Sequence, residues 1–114
     1  MKYVESFLMP VPVKNLPTYR KMARKGAKIW KDHGSLDYKE SVAVDVKAFP
    51  NSVKVKPGEL IVLSWIVYKS RKHCESVTAK VMKDKRLGSM LDPKAFPFDP
   101  KRMIRGYFEV LAES

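Results

Sequence analysis

Polar and apolar positions alternate along Tyr3–Met9, with Tyr3, Glu5, Phe7 and Met9 set against Val4, Ser6 and Leu8. That period predicts a β-strand, ended by Pro10 and Pro12. The period then lengthens: Leu16, Tyr19, Ala23, Ala27 and Trp30, with Met22 alongside, recur at the spacing of one helix face. Asn15 stands where an N-cap is wanted and Pro17 falls in the first turn, where a missing N–H costs little. Gly34 is placed to end this helix in a left-handed conformation. Period two returns at Leu36 and runs through Tyr38, Glu40, Val42 and Val44. Phe49–Asn51 reads as a loop, Val53 and Val55 as a short strand, and Pro57-Gly58 as a turn.

Leu60–Tyr68 is apolar on both sides, with Leu60, Val62, Ile66 and Tyr68 on one face and Ile61, Leu63, Trp65 and Val67 on the other. Such a strand has to be covered twice. Ser70 is placed to cap a second helix that turns Cys74, Val77, Thr78, Val81 and Met82 inward. Three prolines make residues 87–100 an irregular loop, and Met103–Leu111 is expected as the last strand. The order β-α-β-β-α-β predicts an α+β fold, the ferredoxin-like plait, with both helices on one face of an antiparallel sheet. The doubly apolar third strand would then leave the other face as an exposed hydrophobic patch. The expected form is a homodimer in which two sheets pair into an α/β barrel, each chain folding as one domain over residues 1–114.

Composition narrows this picture. The 114 residues are 45% hydrophobic and 31% charged with both signs present, as in a globular chain. One cysteine excludes an internal disulfide and any multi-thiolate metal site. The longest apolar stretch, Leu60–Val67, is interrupted by Ser64 and is far shorter than the roughly 20 residues that span a bilayer. The apolar run Phe7–Val13 contains two prolines and no small-residue cleavage site, so it does not read as a signal peptide. A cytoplasmic protein without membrane contact is expected.

Lys plus Arg number 23 and Asp plus Glu 12, a net charge of +11. Arg20, Lys21, Arg24, Lys25, Lys28 and Lys31 fall on the first helix with no acid between them. Such a face could attract a nucleic acid, RNA in particular, or an acidic protein. The aromatic residues, however, sit at strand and core positions and not among these cations, so a solvated helix face is the simpler reading.

The segments Ser64-Trp65-Ile66-Val67-Tyr68-Lys69-Ser70 and Phe98-Asp99-Pro100-Lys101-Arg102-Met103-Ile104-Arg105-Gly106-Tyr107-Phe108-Glu109 carry a family signal. With the opening Tyr3-Val4-Glu5-Ser6-Phe7 and the helix end Trp30-Lys31-Asp32-His33-Gly34, the chain resembles the YbaA-like family of uncharacterised bacterial proteins. The resemblance spans nearly the whole sequence and implies the dimeric α/β-barrel superfamily; it implies no activity. Three departures stand out. Glu5-Ser6-Phe7 replaces the Asp-Gly-Phe of that family, and Arg105-Gly106-Tyr107 replaces Tyr-Gly-Gly. Cys74-Glu75 replaces an Arg-Asp pair. Tyr107 in place of a glycine is expected to shrink or alter any pocket lined there.

No catalytic motif is present: no phosphate-cradling loop, no nucleophile elbow, no paired-histidine spacing. Nothing in the sequence asks for a cofactor or a metal. His33 at a helix C-terminus suits a dipole-stabilised imidazole, with a general base or haem ligand as the alternative. Cys74 lies on the apolar helix face and reads as core. The candidate pocket is drawn from polar groups on strands, Glu5, Glu40, Arg105 and Tyr107, joined by Arg102, Trp65 and His33. Two readings of this set stay open. One is structural ion pairing at the sheet edges or dimer interface. The other is a small-molecule pocket in which Arg105 or Arg102 holds an anionic group, Glu5 or Glu40 acts as a base and Trp65 forms an apolar wall. Barrels of this superfamily include cofactor-free monooxygenases, lactone isomerases, haem-modifying enzymes and ligand-binding regulators, so the fold leaves open whether a bound molecule is transformed.

Overall fold

The computed structural model describes residues 1–44, 53–88, 90, 92 and 96–114. Its regular elements are β1 (Tyr3–Pro12), α1 (Leu16–Asp32), β2 (Asp37–Val42), β3 (Glu59–Tyr68), α2 (Arg71–Met82), the single-turn α3 (Lys85–Gly88) and β4 (Ile104–Glu109). The strands form one antiparallel sheet in the order β2-β3-β1-β4. This is the ferredoxin-like plait that the periodicity predicts. No described helix is long and apolar enough to cross a membrane.

Strand β1 departs from the sequence expectation by running through Pro10 and Pro12, paired with Ile61 and Glu59. The register explains why. The Val13 N–H donates to the Gly58 carbonyl on the β3 side (2.7 Å), and the Val110 N–H donates to the Lys2 carbonyl on the β4 side (3.0 Å). Alternation therefore turns the even positions of β1 toward β4, where pairing stops at Leu8 opposite Ile104. Both prolines lack an N–H on an edge that has no partner to receive one.

Helix α1 ends as its glycine requires. Gly34 has φ +109°, the Ser35 N–H reaches the Trp30 carbonyl and the Gly34 N–H that of Lys31, both at 3.1 Å, which is the Schellman arrangement. At the other end Asn15 is the N-cap residue, but its side chain donates to the Pro97 carbonyl (3.0 Å) and ties the helix start to the late loop. Ser70 caps α2 as expected, accepting from the His73 N–H. Val53 and Val55 do not form the expected strand; among the described residues, 53–56 pair with no strand, and the carbonyl of Lys54 is instead held by Arg102 at 2.7 Å. The irregular stretch expected at 87–100 opens with the end of α3, and the last strand is shorter than its apolar pattern. The loop expected at Phe49–Asn51 lies outside the described residues.

Both helices cover one face of the sheet. Their core forms two clusters: Ile66, Tyr68, Ile29, Val77 and Val81 with Cys74 on one side, and Met9, Val11, Tyr19 and Val62 on the other. Phe7 packs against both. The opposite face presents Leu8, Leu63, Trp65, Val67, Ile104 and Phe108, of which Trp65 is 41% and Phe108 56% exposed.

Candidate functional site

Between the two core clusters the sheet and helices line a half-open cavity of about 260 Å³. Strand alternation decides which polar groups it receives. Tyr38, Ile66, Glu5 and Tyr107 form one cross-strand row on the helix side, and Glu40, Ser64, Phe7 and Arg105 form the next. The two carboxylates are thus two strands and one row apart, about 12 Å between Cα atoms.

Each carboxylate is held by hydroxyl donors. Glu5, buried at 6% exposure, accepts from Tyr68 (2.8 Å) and Tyr107 (3.3 Å), and the Arg105 Nε lies 4.0 Å away. The Trp30 indole N–H in turn donates to the Tyr68 hydroxyl at 3.1 Å, so a chain of donors runs from α1 through β3 to β1. Glu40 accepts from Tyr19, from Ser64 (2.6 Å) and from Tyr38 (2.8 Å). Burial, then the adjacent carboxylate, pushes Tyr19, Tyr38, Tyr68 and Tyr107 above the ordinary phenol range. They stay protonated and act as fixed donors. Gly26 permits this on the α1 side, because a Cβ there would sit 3.2 Å from the Tyr38 hydroxyl oxygen.

The rest of the wall is soft and apolar. Of the six methionines in the chain, Met9, Met22, Met82, Met90 and Met103 all line the cavity. Phe96 and Phe98, stacked with ring centres 5.5 Å apart, close it from the late loop. Thioether side chains adapt to irregular shapes, and with aromatic rings they suit a ligand with an aromatic or otherwise apolar body. Arg105 stands over the Phe7 ring, 4.7 Å from its centre, with about half of its side chain exposed.

The candidates named from sequence separate into two groups. Glu5, Glu40, Arg105 and Tyr107 meet around the cavity. Trp65 does not, because it lies one residue out of phase with Ser64 and Ile66 and points to the opposite sheet face. Arg102 is bound to Glu59 at 2.7 and 2.9 Å beyond the cavity wall, and holds that carboxyl down at about 2. His33 caps α1 and sets its Nε2 2.7 Å from Asp84, whose other partner is Arg86, so it fastens α1 to the turn before α3. Cys74 is buried against Tyr68, and burial raises its thiol. The helix face holding Arg20, Lys21, Arg24, Lys25, Lys28 and Lys31 is exposed. Lys28 pairs with Asp32, Lys31 reaches the Leu36 carbonyl, and Arg20, Lys21 and Arg24 border a groove beside β2. Among the described residues no group of three or more His, Cys, Asp or Glu side chains could hold a metal ion.

Tyr19, Tyr38, Tyr68 and Ser64 were not among the sequence candidates. Their signal was there in part: Tyr38 and Glu40 are two apart on one strand and therefore share a face, and Ser64 and Tyr68 are the hydroxyl-bearing residues on the helix side of β3. Nothing local announces that Tyr19, on α1, meets Glu40.

Among solved structures the chain is similar to an uncharacterised NIPSNAP domain protein from Burkholderia xenovorans (TM-score 0.66, 14% identity, 96% of this chain and 95% of that one). It is also similar to a dimeric ferredoxin-like protein from an uncultured marine organism (TM-score 0.63, 14% identity, all of both chains). At these identities the likeness establishes the fold. In sequence it is 37% identical over 118 residues to the uncharacterized protein YbaA of Escherichia coli K12, covering 99% of each. The model of the family described as "Protein of unknown function (DUF1428)" matches residues 2–100, and the chain belongs to that family.

Proposed function

We propose that this protein is a cytoplasmic homodimer that binds a small molecule with an aromatic or otherwise apolar body in the cavity between sheet and helices. The observation that carries the reading is the pair of carboxylates, each fixed by protonated hydroxyls, inside a wall of methionine and aromatic side chains. A set of structural ion pairs would not need the space: Glu5 has one guanidinium at 4.0 Å, and the partners of Glu40 are three hydroxyls. The anionic ligand suggested by sequence loses one of its two arginines to Glu59. Among the described lining residues Glu5 and Glu40 are the carboxylates that could accept a proton from a bound molecule. The exposed apolar sheet face around Trp65 and Phe108 supports the dimer, as does the description of the marine relative in fold as dimeric. Native mass spectrometry of the purified protein tests both halves. A species near twice 13.1 kDa carrying a small adduct is the expected result, and a monomer would count against the sheet pairing.

A second reading rests on Arg20, Lys21 and Arg24, exposed cations that have no acidic partner among the described residues and border one groove. They could hold a nucleic acid or an acidic protein. RNA affinity would then fall by about 0.7–0.9 log units per phosphate contact for each tenfold rise in salt and vanish on Arg20→Glu/Arg24→Glu reversal. RNA binding that survives the reversal would exclude this face.

A further inference from the structure

The formal charge of the described cavity lining is opposite in sign to the charge of the chain. Two carboxylates, Glu5 and Glu40, face one guanidinium, Arg105, and among the described residues no lysine or histidine lines the cavity. The described lining therefore keeps one negative charge in a protein of net charge +11. The imbalance belongs to Glu40. Glu5 has Arg105 at 4.0 Å, whereas none of the ion pairs among the described residues includes Glu40.

Hydroxyl donors can hold a carboxylate in place, but they do not neutralise it. A charge partly removed from water gains most from a counter-charge that comes equally close. On the cavity side Glu40 has Ser64 and aromatic groups around it: Tyr19 and Tyr38 donate to it, Phe98 meets Tyr19 edge to face with ring centres 5.7 Å apart, and Trp30 lies 5.9 Å from Tyr38. On its other side it borders the groove of Arg20, Lys21 and Arg24, none of which is among its ion-pair partners. Aromatic rings attract a cation that reaches their faces, and an ammonium is the small organic group that could meet both the carboxylate and the rings. Elsewhere on the wall Met22, Met90 and Phe96 offer a neutral bed for the remainder of the molecule.

The geometry points to an amine as the ligand class of this cavity: a molecule with an aromatic or apolar body and a protonated amino group that ion-pairs with Glu40. This assignment rests on the cavity being the binding site and adds the charge of its occupant. The positive exterior of the protein does not exclude such a ligand, because exposed charges are screened beyond about 8 Å at physiological salt.

Three probes of one shape test it on the unaltered protein by calorimetric titration at pH 7: 2-phenylethylamine, 2-phenylethanol and 3-phenylpropionate. The amine is expected to bind about tenfold tighter than the alcohol, and the carboxylate more weakly than either. Glu40→Gln should remove the amine's advantage over the alcohol. Equal binding of amine and alcohol, or tightest binding of the carboxylate, would overturn the amine assignment while leaving the cavity as a binding site. A preference for the amine that survives Glu40→Gln would remove Glu40 from the role. Failure of all three probes to bind would overturn the cavity reading itself, and the amine with it.

Discussion

Tyr68→Phe removes one oxygen atom from the interior and separates a structural account of the Glu5 site from a merely decorative one. Tyr68 is fully buried; its hydroxyl donates to Glu5 at 2.8 Å and accepts from the Trp30 indole at 3.1 Å. The bond to Glu5 is charge-assisted and lies where water does not replace it, which puts its loss at about 1.5–3 kcal/mol. The Trp30 N–H, on a half-buried ring, adds up to about 1 kcal/mol as an unpaired donor. The variant should therefore unfold about 1.5–4 kcal/mol more easily, a drop in Tm of roughly 6–16 °C for a chain of this size. Tyr107→Phe is the control. That hydroxyl reaches Glu5 at 3.3 Å from a residue that is 49% exposed, so its removal should cost less than about 1 kcal/mol. Urea unfolding at pH 7 and fixed protein concentration measures both. Repeating the Tyr68 change in the Glu5→Gln background should recover about 1–2 kcal/mol as coupling, because the acceptor is then neutral. Equal costs for the two tyrosines, or no coupling to Glu5, would refute the claim that Tyr68 holds the carboxylate.

Other consequences can be measured on the same material. Gly34→Ala forces a side chain onto a backbone at φ +109° and should cost about 1–2 kcal/mol in urea unfolding, mainly as backbone strain, since the new Cβ would meet the nearest side-chain atom at 3.5 Å. Arg102 holds Glu59 at about 2, below its ordinary 4.5, so the stability this pair supplies is complete above pH 4.5 and is lost as pH falls toward 2. Stability curves of the wild type and Arg102→Gln should accordingly converge over that window, and a constant gap would contradict the pairing. The Cys74 thiol, buried and raised above its usual range, should resist an aromatic disulfide reagent at pH 7.5 and react fully in denaturant. Rapid labelling of the native protein would contradict its place in the core.

The order of elements was legible because each period has one physical cause: alternation for a sheet with one face covered by helices, and a three-to-four spacing for the helix that covers it. Proline misled at β1, where its lost donor matters only on the side that pairs, and pairing partners are not local information. Val53 and Val55 alternate as a strand would, but among the described residues no strand pairs with them. For the site, alternation placed Glu5, Glu40, Arg105 and Tyr107 on one face, and the same rule, applied to Ser64 and Ile66, turns Trp65 away from them. The convergence of five methionines on the cavity, from β1, α1, α2 and the segments on either side of the late loop, could not be read from spacing. It depends on tertiary packing, as does the meeting of Tyr19 with Glu40.

Those methionines make the central claim directly observable. With the methionine methyl groups labelled with carbon-13, all six give separate reporters, five on the cavity wall and Met1 outside it at 77% exposure. Titration with 2-phenylethanol, followed by NMR, should shift the signals of Met9, Met22, Met82, Met90 and Met103 along one saturating curve while Met1 stays fixed. Saturating ligand that leaves these five signals in place, or moves Met1 alone, would contradict a binding site between sheet and helices.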